Sequence, residues 1–199
     1  MKIAIFGGTF NPIHLGHLML AEEIRQIKNF EKIIFLPTGN PPHKSLYVSS
    51  EDRLNMVKLA CMDNDAFEVS DLEVKNKKIS YTIDSLKILK EKYDNINYII
   101  GSDTVFQLKT WKSFEKLPEY TKFIFMKRPG YDLEKDLNME IQWLKEEFGF
   151  EIEEVTGPLY DISSHDIRED ISKGRSLKYI LPEKVREYIS DKRLYERRR

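Results

Sequence analysis

The stretch Gly7-Gly8-Thr9-Phe10-Asn11-Pro12-Ile13-His14-Leu15-Gly16-His17 decides how the rest of the chain is read. A short apolar run, Lys2 to Phe6, precedes it and has the composition of a buried strand. Leu15 to Lys28 follows with helical periodicity, Leu20, Ile24 and Ile27 falling on one face. A strand, a glycine turn and a helix start together make an anion site. The glycines let a ligand approach the backbone, and the first helical turn presents N–H groups at the positive end of the helix dipole. Pro12 stiffens the turn, and Gly16 keeps the first turn of the helix thin. His14 and His17 flank the opening, where imidazoles can donate hydrogen bonds to phosphate oxygens.

The same alternation continues along the chain. Strands are expected at Lys2–Phe6, Lys32–Leu36, Phe67–Ser70, Asn97–Ile100, Lys122–Met126 and Glu151–Val155. Helices are expected at Leu15–Lys28, Ser50–Met62, Thr82–Tyr93, Thr104–Leu108 continuing to Leu117, Asp136–Phe148, His165–Lys173 and Pro182–Ser190. This order predicts an α/β fold, a doubly wound parallel sheet of Rossmann-like form with a small helical C-terminal extension. One domain is expected over 1–199, with a core at 1–157 and a helical part at 158–199. Right-handed crossovers bring the loops after the strands to one sheet edge, where ligands bind at a topological switch point.

Composition narrows the classes. A net charge of −1 argues against a general nucleic-acid or membrane surface. The basic end of the chain (Lys192, Arg193, Arg197 to Arg199) reads as a frayed tail. A single cysteine, Cys61, excludes an internal disulfide and is expected as a buried, inert thiol. No leader or membrane-length apolar run is found, so the cytoplasm is the expected compartment. An apolar face on a C-terminal helix would allow a homodimer.

Rival readings of the histidine turn fail on spacing. The chain has no Gly-x-x-x-x-Gly-Lys-Ser/Thr and no Gly-x-Gly-x-x-Gly. A zinc site would need further ligands, and His43 and Cys61 stand at no recognisable spacing from His14 and His17. The segment Gly8 to His17 instead resembles the Gly-x-Phe-x-Pro-x-His-x-Gly-His motif that opens the adenylyl- and cytidylyl-transferring nucleotidyltransferases. It is similar also to the His-Ile-Gly-His signature of class I aminoacyl-tRNA synthetases, but no Lys-Met-Ser-Lys-Ser loop accompanies it. Downstream, Ile162-Ser163-Ser164-His165-Asp166-Ile167-Arg168 resembles the Ile-Ser-Ser-Thr-x-Ile-Arg motif of the same superfamily, with His165 where threonine is usual. Ser163 and Ser164 stand where hydroxyls cap a helix, and Arg168 stands about one turn into it.

Three further blocks point to one family. Ser80-Tyr81-Thr82 at a helix start, Gly101-Ser102-Asp103 followed by Leu108 and Trp111, and the loop Pro37-Thr38-Gly39-Asn40-Pro41-Pro42-His43-Lys44 resemble segments of the bacterial nicotinate mononucleotide adenylyltransferases. Ser102 replaces the usual alanine, and Phe114 stands where tryptophan is common. The resemblance implies transfer of the adenylyl group of ATP to nicotinate mononucleotide, giving nicotinate adenine dinucleotide and pyrophosphate. It also implies direct in-line attack with no covalent intermediate. His17, assisted by His14, would stabilise charge on the α-phosphate, and Arg168 would hold the departing pyrophosphate. ATP would lie against Gly7, Gly8, Thr9, Phe10, His14, His17, Gly101, Asp103, Ser163, Ser164 and Arg168. Nicotinate mononucleotide would lie against Asn40, Lys44, Thr82 and Trp111, the indole stacking on the pyridine. No protein metal site is expected; Mg²⁺ would be bound mainly by the phosphates. Nicotinamide mononucleotide and phosphopantetheine are alternative acceptors, and a silent nucleotide-binding sensor is the reading from another class.

Overall fold

A computed structural model of the chain describes residues 1–42, 46, 48–126, 134–158 and 161–196. Six strands, β1 (Ile3–Gly8), β2 (Lys32–Pro37), β3 (Phe67–Val69), β4 (Ile96–Gly101), β5 (Lys122–Met126) and β6 (Ile152–Val155), form one sheet in the order β3-β2-β1-β4-β5-β6. Every neighbouring pair is parallel. The doubly wound sheet expected from the alternation is present, and its switch point lies between β1 and β4.

Alternation along each strand divides the apolar residues between two cores, because successive side chains point to opposite faces. Ala4, Phe6, Ile33, Phe35, Ile99 and Ile124 face one side. There they meet residues of α1 (Leu15–Lys28), α2 (Ser50–Cys61), α7 (Ser164–Ser172) and α8 (Glu183–Asp191). Ile3, Ile5, Ile34, Leu36, Tyr98, Ile100, Phe123 and Phe125 face the other. That side is covered by α3 (Leu72–Lys75), α4 (Thr82–Lys90), α5 (Ser102–Val105), two 3-10 helices (Leu108–Thr110 and Phe114–Glu119) and α6 (Glu134–Phe148). The C-terminal helices are thus built into the first core: Ile167, Leu181, Val185 and Ile189 are buried among residues of α1 and α2.

Four expectations change in the folded chain. Gly7 and Gly8 do not form a turn; they are the last residues of β1, in register with Leu36 and Pro37. The stripe on α1 is carried by Gly16, Ala21 and Ile24, while Ile27 is 44 % exposed at the end of the helix. The helix expected from Thr104 to Leu117 is broken into α5 and the two 3-10 helices, with Ser113 at φ 51° and Pro118 inside the second. Finally, the chain beyond α8 is tied down rather than frayed. The Leu194 N–H donates to the Ile189 carbonyl at 3.0 Å, and the Tyr195 hydroxyl donates to Asn11 Oδ1 at 2.8 Å. Arg197 to Arg199 lie outside the described residues.

Cys61 is buried in α2, and burial pushes its thiol up to about 12. Among the described residues no helix is long and apolar enough to cross a membrane. The apolar face of α8 is turned inward, with Val185 and Ile189 buried.

Candidate active site

A cleft of about 250 Å³ opens at the switch point, above the carboxyl ends of β1 and β4. Gly7, Gly8, Thr9, Phe10, His14, Gly16 and His17 line one wall, and Ile100, Gly101, Asp103 and Thr104 line the wall across from it. Ile162 and Ser164, from the start of α7, close the rim. The two motifs, far apart in sequence, therefore line the same cleft. Ser163 and Arg168 stand just behind this rim.

The histidine pair is set by the helix start. His14 is the N-cap residue of α1, extended at φ −145° and ψ 170°, and is 3 % exposed. Its backbone N–H donates to His17 Nδ1 at 3.3 Å, so the proton of a neutral His17 ring sits on Nε2. The two rings stack at 3.6 Å with planes 29° apart. Phe10 meets the His17 ring edge-on at 5.2 Å. Phe10 itself is 2 % exposed and has φ 45°, a left-handed backbone that a non-glycine residue holds only when its surroundings enforce it. Its ring, packed on Phe6 and Phe35, is that enforcement.

Close packing demands glycine at Gly7 and leaves little room at Gly8. A Cβ on Gly7 would lie 1.8 Å from the Tyr98 hydroxyl, and one on Gly8 would lie 3.2 Å from the Phe10 ring. The space above Gly16 is similarly filled, by His14 and Ile162.

The start of α7 is fastened to the same turn. Ser163 caps the helix, its Oγ accepting from the Asp166 N–H at 3.1 Å and donating to Asp166 Oδ2 at 2.6 Å. Ser164 Oγ donates to the Pro12 carbonyl at 2.8 Å. Arg168 Nη1 donates to the carbonyls of Asn11 and Ser164 at 2.8 and 2.9 Å. Both serine hydroxyl protons are thus committed within the protein. The imidazole of His165 faces away toward Glu169 at 3.7 Å and is 71 % exposed.

Asn40, Thr82 and Trp111 are not among the residues that line this cleft. Asn40 is held by Ser80: the Asn40 N–H donates to Ser80 Oγ at 3.2 Å, and the Ser80 N–H donates to the Asn40 carbonyl at 2.9 Å. Thr82 opens α4, and its side chain reaches the Tyr98 hydroxyl. Trp111 is half-buried, edge-on to Tyr98 at 6.3 Å and to Phe123 at 6.5 Å. Lys44 and His43 lie outside the described residues.

Sequence reasoning missed the buried polar residues beneath these loops. Arg53, on α2, is 1 % exposed and donates to the Thr9 carbonyl at 2.6 Å and the Gly39 carbonyl at 2.9 Å. Glu73, on α3, is 6 % exposed and accepts from Ser85 Oγ at 2.7 Å. Burial pushes the Glu73 carboxyl up, opposed by Ser85, Ser80, the Gly39 N–H and Arg53. An arginine inside a mostly apolar helix face was the available signal. Among the described residues no group of three His, Cys, Asp or Glu side chains could hold a metal ion.

A parallel sheet whose switch-point cleft is walled by a histidine-bearing helix start is built for nucleotide chemistry, and the family model for cytidylyltransferase-like proteins matches residues 5–170. The chain is 40 % identical over 197 residues to a "Probable nicotinate-nucleotide adenylyltransferase" of Caldicellulosiruptor saccharolyticus, covering 98 % of this chain and 100 % of the relative. It is 42 % identical to one of the same name from Desulfitobacterium hafniense, covering 98 % and 95 %. A nicotinic acid mononucleotide adenylyltransferase of Plasmodium falciparum, solved with NaAD, shares the fold with a TM-score of 0.80 at 23 % identity, over 98 % of this chain and 97 % of that one. The chain belongs to the nicotinate-nucleotide adenylyltransferase family.

Proposed function

We propose that this enzyme joins ATP and nicotinate mononucleotide by direct in-line displacement, releasing pyrophosphate and nicotinate adenine dinucleotide. The observation that carries the mechanism is that the histidine turn and the start of α7, fastened to each other, line one cleft. The mononucleotide phosphate is already anionic, so its oxygen can attack the α-phosphorus without a general base. The α–β bridging oxygen leaves with pyrophosphate. Positioning and charge stabilisation then supply the rate.

In this reading His17 Nε2–H points its dipole at the α-phosphate, and His14 holds that ring by stacking and by its N–H. The positive end of the α1 dipole and the remaining donors of Arg168 hold the triphosphate, the Leu15 and His17 N–H groups being already given to the Ile180 and His14 carbonyls. Gly7, Gly8, Thr9 and Phe10 shape its bed; Gly101 and Asp103 flank the adenosine. Ser163 and Ser164 act by fixing the start of α7. The second substrate is assigned to the Asn40 loop with Lys44, to the helix start at Thr82, and to the face of Trp111. Among the described residues Asp103 is the carboxylate that lines the cleft, and Mg²⁺ is proposed to arrive on the triphosphate. Bound so, the ion would neutralise phosphate charge. The cytoplasm is the proposed compartment. Any homodimer would use a surface other than the inward-facing stripe of α8.

Pyrophosphate release with ATP and, in turn, nicotinate mononucleotide, nicotinamide mononucleotide and phosphopantetheine tests the reading. Fastest turnover with the first is expected. Equal or greater turnover with either of the others overturns the acceptor, and no release with any of the three overturns the activity.

A further inference from the structure

Arg53 is a buried cation with nothing to do in the chemistry just described, yet it touches both halves of the site. It comes from α2, and each terminal nitrogen of its guanidinium meets a different loop. Nη1 donates to the carbonyl of Thr9, in the turn after β1; Nη2 donates to the carbonyl of Gly39, in the loop after β2. Gly39 is pressed against α3 from the other side: a Cβ there would lie 2.0 Å from the Glu73 carbonyl oxygen. The next residue, Asn40, is bonded both ways to Ser80, two positions before Thr82. One rigid side chain therefore sits at the junction of the triphosphate turn, the mononucleotide loop and the helix start of α4.

We propose that Arg53 is a positioning residue that sets the separation of the two substrate-binding loops, so that the attacking phosphate and the α-phosphorus meet in line. The inference rests on the functional reading above. Its physical basis is the planar fork of the guanidinium, which presents two donors at a fixed spacing, whereas a lysine ammonium is a single point. Burial of the charge makes the arrangement costly unless both carbonyls are kept in place: Nε has no hydrogen-bond partner among the described residues, so the two Nη bonds and the nearby Glu73 are what offset the desolvation. In-line transfer is sensitive to displacements of about 1 Å, so a loosened junction reduces turnover even where each substrate still binds.

A ligand that touches one loop does not sense the separation; a ligand that spans both does. The test is Arg53→Lys in the full-length protein, with Arg53→Met as a second variant of similar bulk. Calorimetry measures binding of a non-hydrolysable ATP analogue, of nicotinate mononucleotide and of nicotinate adenine dinucleotide, alongside steady-state turnover and a thermal melt. Expected for Arg53→Lys are a folded protein, binding of each mononucleotide within threefold of native, dinucleotide binding weaker by tenfold or more, and kcat lower by tenfold or more. Retention of native kcat and native dinucleotide affinity overturns the proposal. So does a parallel loss of all three affinities, which would make Arg53 a support of each loop separately. Failure of both variants to fold would assign it to the core alone and also overturn the proposal. Absence of turnover in the native protein, by contrast, condemns the functional reading and not the bridge.

Discussion

The ring of His14 lies on that of His17, with centroids 3.6 Å and planes 29° apart, while the His14 N–H occupies Nδ1 of its neighbour. One histidine thereby orients the other. The spacing of three residues puts both on the same side of the first turn of α1, and the extended N-cap backbone of His14 tips its ring over that of His17.

His17→Ala is expected to lower kcat by roughly a hundredfold or more, since a donor aimed at developing charge is worth about 3 kcal/mol or more. His17 is only half-buried, so the melting temperature should move little. Pyrophosphate release and circular dichroism check the two parts. Near-native turnover would remove His17 from the chemistry.

Ser102→Ala is expected to stabilise the protein. Ser102 is 2 % exposed, and its hydroxyl has no hydrogen-bond partner among the described residues. A buried, unpaired hydroxyl costs about 1–3 kcal/mol. Urea denaturation should show a higher midpoint for the variant; a lower one would mean that the hydroxyl has a partner in solution.

Tyr195→Phe removes the bond from the end of the chain to Asn11, a residue that is 8 % exposed. Stability should fall by about 1 kcal/mol, leaving the Asn11 amide oxygen unsatisfied. Because Asn11 sits between Phe10 and the Pro12 carbonyl that anchors Ser164, turnover should fall as well, by roughly threefold to tenfold. A stability loss with unchanged kcat would confine Tyr195 to the core.

Glu22 carries an acid-sensitive part of the stability. The paired bonds from Arg25, at 2.9 and 2.7 Å, with further ones from Gln26 and Asn64, hold its carboxyl down at about 2. A folded-state value below the unfolded one contributes stability at pH values above about 4.5, which is lost as pH falls toward 2. Glu22→Gln should therefore be less stable than native by about 1 kcal/mol at pH 6, after discounting for solvent screening, and the two should converge near pH 2. Urea melts across that range read the difference, and a gap that persists at the acid end would refute the assignment.

The sheet and its helices were legible because their physics is local. A continuous apolar run and a helical period place β5 and α1 at the very residues expected, Lys122–Met126 and Leu15–Lys28. The cleft's contributors Gly8, His14, His17, Gly101 and Asp103 were legible as well, since a parallel sheet must bring its strand exits to one edge. The short helix Leu72–Lys75 went unseen, being a single turn without periodicity. The break-up of the 104–117 region was hidden for a different reason: its geometry is imposed by packing of Trp111 and Phe114 on the second core.

Taken alone, the sequence determined the parallel fold, the switch-point cleft and the residue types that face it, because strand and helix periods and motif chemistry act over a few neighbours. Only the tertiary structure decided that Gly7 is small for the sake of Tyr98, that Tyr195 returns to brace Asn11, and that Arg53 ties the Thr9 and Gly39 carbonyls together. Those relations join residues far apart in the chain through burial and donor geometry, and neither quantity exists until the chain has closed on itself.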